Sequence, residues 1–83
     1  MPYINNEDRG QYDLIIDNLP EIKTKGELEY ITFKLMKKYM STREQRYTPL
    51  HDCVYAIMHC AEEFRRRYLD KRENEAIQTN GDV

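Results

Sequence analysis

The feature that most limits what this chain can fold into is a single apolar stripe between Thr48 and Arg72. Leu50, Val54, Ile57, Ala61, Phe64 and Tyr68 recur at steps of four, three, four, three and four, which is one face of an α-helix. Thr48-Pro49 reads as its start. The Thr side chain can accept an orphan N–H, and a proline at the first helical position leaves no N–H unpaired. On a wheel of about 100° per residue the apolar arc covers close to half the circumference, from Cys53 and Cys60 at one edge to Met58 and Leu69 at the other. A narrow seam suffices for one neighbour, so this width predicts two or more. Lys71 and Arg72 fall back onto the apolar side, which places the end of the buried part near Leu69.

The remaining chain supplies two shorter helices. Met1 to Ile4 reads as an extended arm, with Pro2 opposing helix. Asn5 or Asn6 caps a first helix over about 7–18, with Glu7 and Asp8 in its opening turn as the dipole prefers. Tyr12, Ile15, Ile16 and Leu19 share its face, Leu14 points elsewhere, and Pro20 stops it. Residues 23–26 read as a linker. A second helix is expected over about 27–40, with Leu28, Ile31, Thr32, Leu35 and Tyr39 on its core face and Met36 beside them. The polar stretch 41–47 leads into the long helix at 49–72 or beyond. Residues 70–77 continue it as an exposed helix, and 78–83 form a polar tail with a turn at Asn80-Gly81. No strand pattern, repeat or low-complexity segment is present. The expected fold is all-α: one domain over 1–83, three helices, the last one long.

Lengths then favour self-association. At 1.5 Å per residue the long helix spans roughly 35 Å and the other two about 20 Å or less. Two short helices end to end only just cover the long one, so a homodimer or higher oligomer along the long helix is expected.

Charge narrows the function classes. The net charge of −2 opposes general attraction to nucleic acid or membrane. Residues 1–29 carry −4, 30–49 carry +4, 50–72 carry +1 and 73–83 carry −3. Acidic ends around a basic middle can neutralise it within the molecule or across a dimer. No apolar run approaches the roughly 18 residues of a membrane span, and the start is no signal peptide. Cys53 and Cys60, two turns apart on one helix, are roughly 10 Å apart and too distant to bond each other. Reduced thiols and a cytoplasmic protein are expected.

Catalysis finds no support. Ser41 is the only serine and lacks a Gly-flanked turn, and Gly10, Gly26 and Gly81 are isolated. No catalytic residue, cofactor or metal is assigned. His51, Cys53, His59 and Cys60 fall on different sides of the wheel, and His59 with Glu63 makes only a two-ligand half-site.

Three basic and aromatic groupings are candidate ligand contacts. In Arg65-Arg66-Arg67, Glu62 sits four residues before Arg66 and Glu63 four before Arg67, the favourable order for helix ion pairs. Arg65 falls inside the apolar arc, between Val54 and Met58 on the wheel. There it needs either an acid from the first two helices (Asp13, Asp17, Glu27 or Glu29) or a bound anion. Tyr30 with Lys34 and Lys37 makes a patch of the kind that stacks a base and holds a phosphate. Tyr47 with Arg43 and Arg46 makes a second. Solvated side chains explain either patch equally simply.

Several fragments carry a resemblance. Met1-Pro2-Tyr3-Ile4, Gly26-Glu27-Leu28-x-Tyr30-x-Thr32, Glu63-Phe64-x-Arg66-Arg67 and Ile77-x-x-Asn80-Gly81-Asp82-Val83 resemble a family of short proteins of bacteria and their phages. Where such proteins carry an aromatic and a proline before the tail, this chain has Lys71 and Arg72. The resemblance implies an all-helical fold in a bacterial or phage-infected cytoplasm, with no activity and no site residues. The expected function is a non-enzymatic accessory binding protein. Its sharper form is an oligomeric sponge for a small anionic, nucleotide-type signal in anti-defence. The alternative is a module that inhibits or adapts a host protein, and weak nucleic-acid binding ranks third.

Overall fold

The computed structural model describes residues 3–82, and every described element is helical. In order these are α1 (Asn6–Asp17), α2 (Lys25–Met40), α3 (Tyr47–Phe64), a π-helical turn (Arg65–Leu69) and α4 (Asp70–Asn80). The last three follow without a break, so the long C-terminal helix extends past the apolar stripe. The start of the expected N-terminal arm, Met1-Pro2, and Val83 of the tail lie outside the described residues. The chain divides into two compact units, residues 1–32 and 33–83.

In the first unit, α1 begins after Asn5, whose backbone is extended but whose side chain makes no cap hydrogen bond. The Asn5 carbonyl accepts from the Asp8 N–H at 3.0 Å instead. At the other end Asn18 donates its side-chain amide to the Leu14 carbonyl at 2.6 Å, just before Pro20 forbids continuation. Every side chain of α1 is exposed.

The start of α2 corrects the expected linker. The helix opens at Lys25, because Thr24 and Glu27 form a reciprocal capping box. The Glu27 N–H donates to Thr24 Oγ1 at 3.0 Å. The Glu27 carboxylate in turn accepts from the Lys23 and Thr24 N–H groups at 2.6 and 3.2 Å.

In the second unit the end of α2 meets α3 through Met36, Met40 and Cys53. Met40 and Cys53 are the buried hydrophobic residues, at 8% and 6% exposure. The Cys53 thiol donates to the Met36 carbonyl, 3.7 Å away. The expected core face of α2 holds in part: Ile31, Thr32 and Met36 are half-buried, whereas Leu28, Leu35 and Tyr39 are exposed and Met40 is buried instead. The short connection 41–46 selects the face that meets α3, and it selects the i,i+4 methionine pair.

The start of α3 is also corrected. Arg46, with extended backbone, is the cap residue, so Thr48 lies inside the first turn and does not cap. Pro49 is tolerated there because the first four N–H groups of a helix lack internal partners. At the far end, Gly81 with φ +87° stops α4, its N–H donating to the Ile77 carbonyl at 2.7 Å. The polar tail thus begins three residues later than expected, since Gln78, Thr79 and Asn80 are helical. Among the described residues, no helix is long and apolar enough to cross a membrane.

Candidate functional site

The seven candidate ligand residues do not share one place. Tyr30 belongs to the first unit. Lys34, Lys37, Arg43, Arg46 and Tyr47 lie in the second unit, around the junction of α2 and α3. Arg65 sits at the π-helical turn, roughly 27 Å along the helix from Tyr47.

At the junction the polar connection is held by its own side chains. Ser41 donates its hydroxyl to the Lys38 carbonyl at 2.6 Å. Arg43 donates Nη1 to the Tyr39 carbonyl at 2.5 Å, and its guanidinium lies 3.7 Å from the centre of the Tyr39 ring. That cation–π contact fixes a positive charge at the end of α2. Arg46 pairs with Glu44. An open groove of about 380 Å³ lies where the end of α2 meets α3, with Ser41 and Gln45 of the connection among its lining. Its lining is mainly apolar (Phe33, Met36, Met40, Leu50, Val54), with Lys37 as the charged contributor.

Tyr47 opens a ring ladder that was visible in the sequence as a four-residue repeat but was not recognised there. Tyr47 and His51 have ring centres 5.4 Å apart, His51 and Tyr55 stack at 4.1 Å, and Tyr55 meets His59 edge-on at 6.3 Å. Residues four apart stand over one another on a helix, so this strip follows from spacing alone. Tyr47 stands at the end of the ladder and is the more exposed of its tyrosines.

The π-helical turn alters the reading of the arginines. A five-residue π repeat holds one residue more per hydrogen-bonded turn than the α-helix, so an uninterrupted wheel loses phase beyond Phe64. Arg65 is exposed, as are its apolar neighbours Phe64, Tyr68 and Leu69. The choice between an acidic partner and a bound anion presupposed burial, and with water at hand Arg65 needs neither. It makes no ion pair among described residues 33–82.

The expected Glu63–Arg67 pair is made, while the expected Glu62–Arg66 pair is corrected, because Glu63 takes both arginines. Arg66 grips its carboxylate with two donors, Nη2 to Oε1 at 2.6 Å and Nε to Oε2 at 3.2 Å. Arg67 Nε donates to Oε1 at 2.6 Å. The two-pronged geometry of a guanidinium on a carboxylate favours this over separate pairs with Glu62 and Glu63. Hydrogen bonds first from Arg66 and then from Arg67 lower the Glu63 pKa from 4.5 to about 2. The same contact raises Arg66. Glu63 is thereby engaged away from His59. Among the described residues, no three His, Cys, Asp or Glu side chains converge as a metal site.

A family model described as a domain of unknown function, DUF6899, matches residues 1–83, and the chain belongs to that family. No curated protein matches the chain, and no solved structure does.

Proposed function

We propose that this chain is a non-enzymatic accessory binding protein of a bacterium or phage, working in the cytoplasm as a homo-oligomer. In its sharper form it is a sponge for a small anionic signal of nucleotide type, acting against host defence. The observation that carries this reading is the junction of α2 and α3. Lys37 lines an apolar groove there, and Lys34, Arg43, Arg46 and Tyr47 are its neighbours in sequence. A nucleotide combines a flat, weakly polar base with a phosphate, and such a surface suits both ends. Arg65, roughly 27 Å along the helix from Tyr47, enters this site only if another copy supplies it.

Thermal unfolding against a panel of cyclic mononucleotides and dinucleotides tests the proposal. At least one is expected to raise the melting temperature, and Arg43→Ala with Lys37→Ala should reduce that rise. A panel in which none raises it would overturn the ligand reading.

A second reading is favoured by the exposed apolar residues of α1 and α2, including Leu14, Leu28 and Leu35. It makes the chain a module that inhibits or adapts a host protein. Comparing partners captured by the unaltered chain and by Val54→Asp would support it only through a purified, stoichiometric complex. Nucleic-acid binding ranks third; a gel shift that weakens steeply with salt would raise it.

A further inference from the structure

Two unpartnered surfaces of this chain match each other. The first is α1. Tyr12, Ile15, Ile16 and Leu19 are spaced i, i+3, i+4 and i+7, and all four are exposed. A 12-residue helix with nothing buried is too short to hold itself in water. Its stripe requires cover. Asp13 stands to one side of the stripe with Asp17 further round the helix, and Glu7 and Asp8 occupy the first turn.

The second surface is the groove of residues 33–54. It is open and mainly apolar, and Phe33, Leu50 and Val54 on its walls remain exposed although Met40 and Cys53 beneath are buried. Lys37 lines it, and the stretch 30–49 around it carries +4 where residues 1–29 carry −4. An acidic amphipathic helix is the occupant that such a groove selects. Apolar anchors on one helical face fill the floor, and flanking carboxylates meet the lysine.

We infer that α1 of a second copy docks in this groove, and that the exchange is reciprocal. The inference rests on the homo-oligomer part of the proposed function and names the surface that makes it. Reciprocal exchange gives two identical seats per dimer, which doubles the area that one short helix can bury. It also explains why like does not meet like. A pairing of two grooves would set lysine against lysine, whereas exchange sets acid against base.

The test uses the full chain and two variants, Ile15→Asp/Ile16→Asp on the stripe and Val54→Asp in the groove. Sedimentation velocity at high micromolar concentration should show a dimer for the unaltered chain and monomers for each variant. An equal mixture of the two variants should recover a dimer, because one seat then pairs an intact α1 with an intact groove. That mixed dimer should be at least about tenfold weaker than the parent, having one seat in place of two.

Circular dichroism checks that each variant keeps the helicity of α2 to α4, with no loss beyond the 12 residues of an undocked α1. Asp13→Asn/Asp17→Asn and Lys37→Glu, which change only exposed residues, give an independent arm. Each should weaken association several-fold, and salt should weaken the parent similarly.

A parent that stays monomeric overturns the self-association reading itself. A dimer that survives the α1 variant overturns only the docking inference. So do two monomeric variants that fail to recover a dimer on mixing, since α1 would then be docking within its own chain.

Discussion

α1 and α3 carry apolar stripes of the same helical period, and their fates differ. On α3 cover reaches the edge of the arc at Cys53, which is buried, while on the expected core stripe itself Ile57 is half-buried and Leu50, Val54, Ala61 and Phe64 are exposed. On α1 no side chain is even half-buried. Periodicity therefore names the face that wants cover without naming the cover. For α3, part of that cover is close in sequence: Met36 and Met40 come just before the connection, and a thiol–carbonyl hydrogen bond fixes the contact.

The comparison can be broken at several points. Met40→Ala should have the largest effect, a loss of about 2–5 kcal/mol, since it empties a buried site under α3. Urea unfolding would measure it. A loss below about 0.5 kcal/mol, the level of a surface change, would mean that α3 is no better covered than α1.

The next effect lies at the start of α2. Glu27→Ala removes the side chain that satisfies the Lys23 and Thr24 N–H groups, and the expected loss is about 1 kcal/mol. Hydrogen exchange of those two amides should accelerate in parallel. Unchanged exchange would show that the box does not persist in solution.

A smaller, pH-dependent effect belongs to Glu63. Its pKa is about 2 when folded against an ordinary 4.5, so the unfolded chain binds the proton more readily. The stability it contributes is fully present above pH 4.5 and is lost as pH falls toward 2. Glu63→Gln should remove that segment of the acid unfolding profile, and carboxyl NMR should place the Glu63 midpoint well below those of the other glutamates. A midpoint near 4.5 would show that the arginine grip is not made.

Smallest of all, Leu14→Ala should change unfolding by no more than about 0.5 kcal/mol, because Leu14 is exposed and off the stripe. A larger loss would place that residue in an interface.

Much of the fold was legible in the residues. Pro20 ends α1's run, the four–three stripe runs through α3, and Gly81 is a helix stop. Thr24-x-x-Glu27 was equally legible as a capping box but was passed over as linker. Other features depend on tertiary geometry. Which face of α2 turns inward depends on the connection 41–46, and hydrophobicity alone favoured Leu28 and Leu35 over Met36 and Met40. The π-helical turn has no proline or glycine to announce it, and the wheel could not show that the arc around Arg65, Val54 and Met58 included, is exposed. The candidate site divides similarly. Proximity of Lys34, Lys37, Arg43, Arg46 and Tyr47 followed from short sequence separation, while the engagement of Arg43 with Tyr39 and Arg46 with Glu44 could be found only in three dimensions.

The most direct single measurement is sedimentation velocity of Ile15→Asp/Ile16→Asp beside the unaltered chain at one high micromolar concentration. The exchange of α1 between copies predicts a dimer for the unaltered chain and, for the variant, a monomer whose helicity falls by no more than the undocked α1. Dimers of equal strength from both would contradict it.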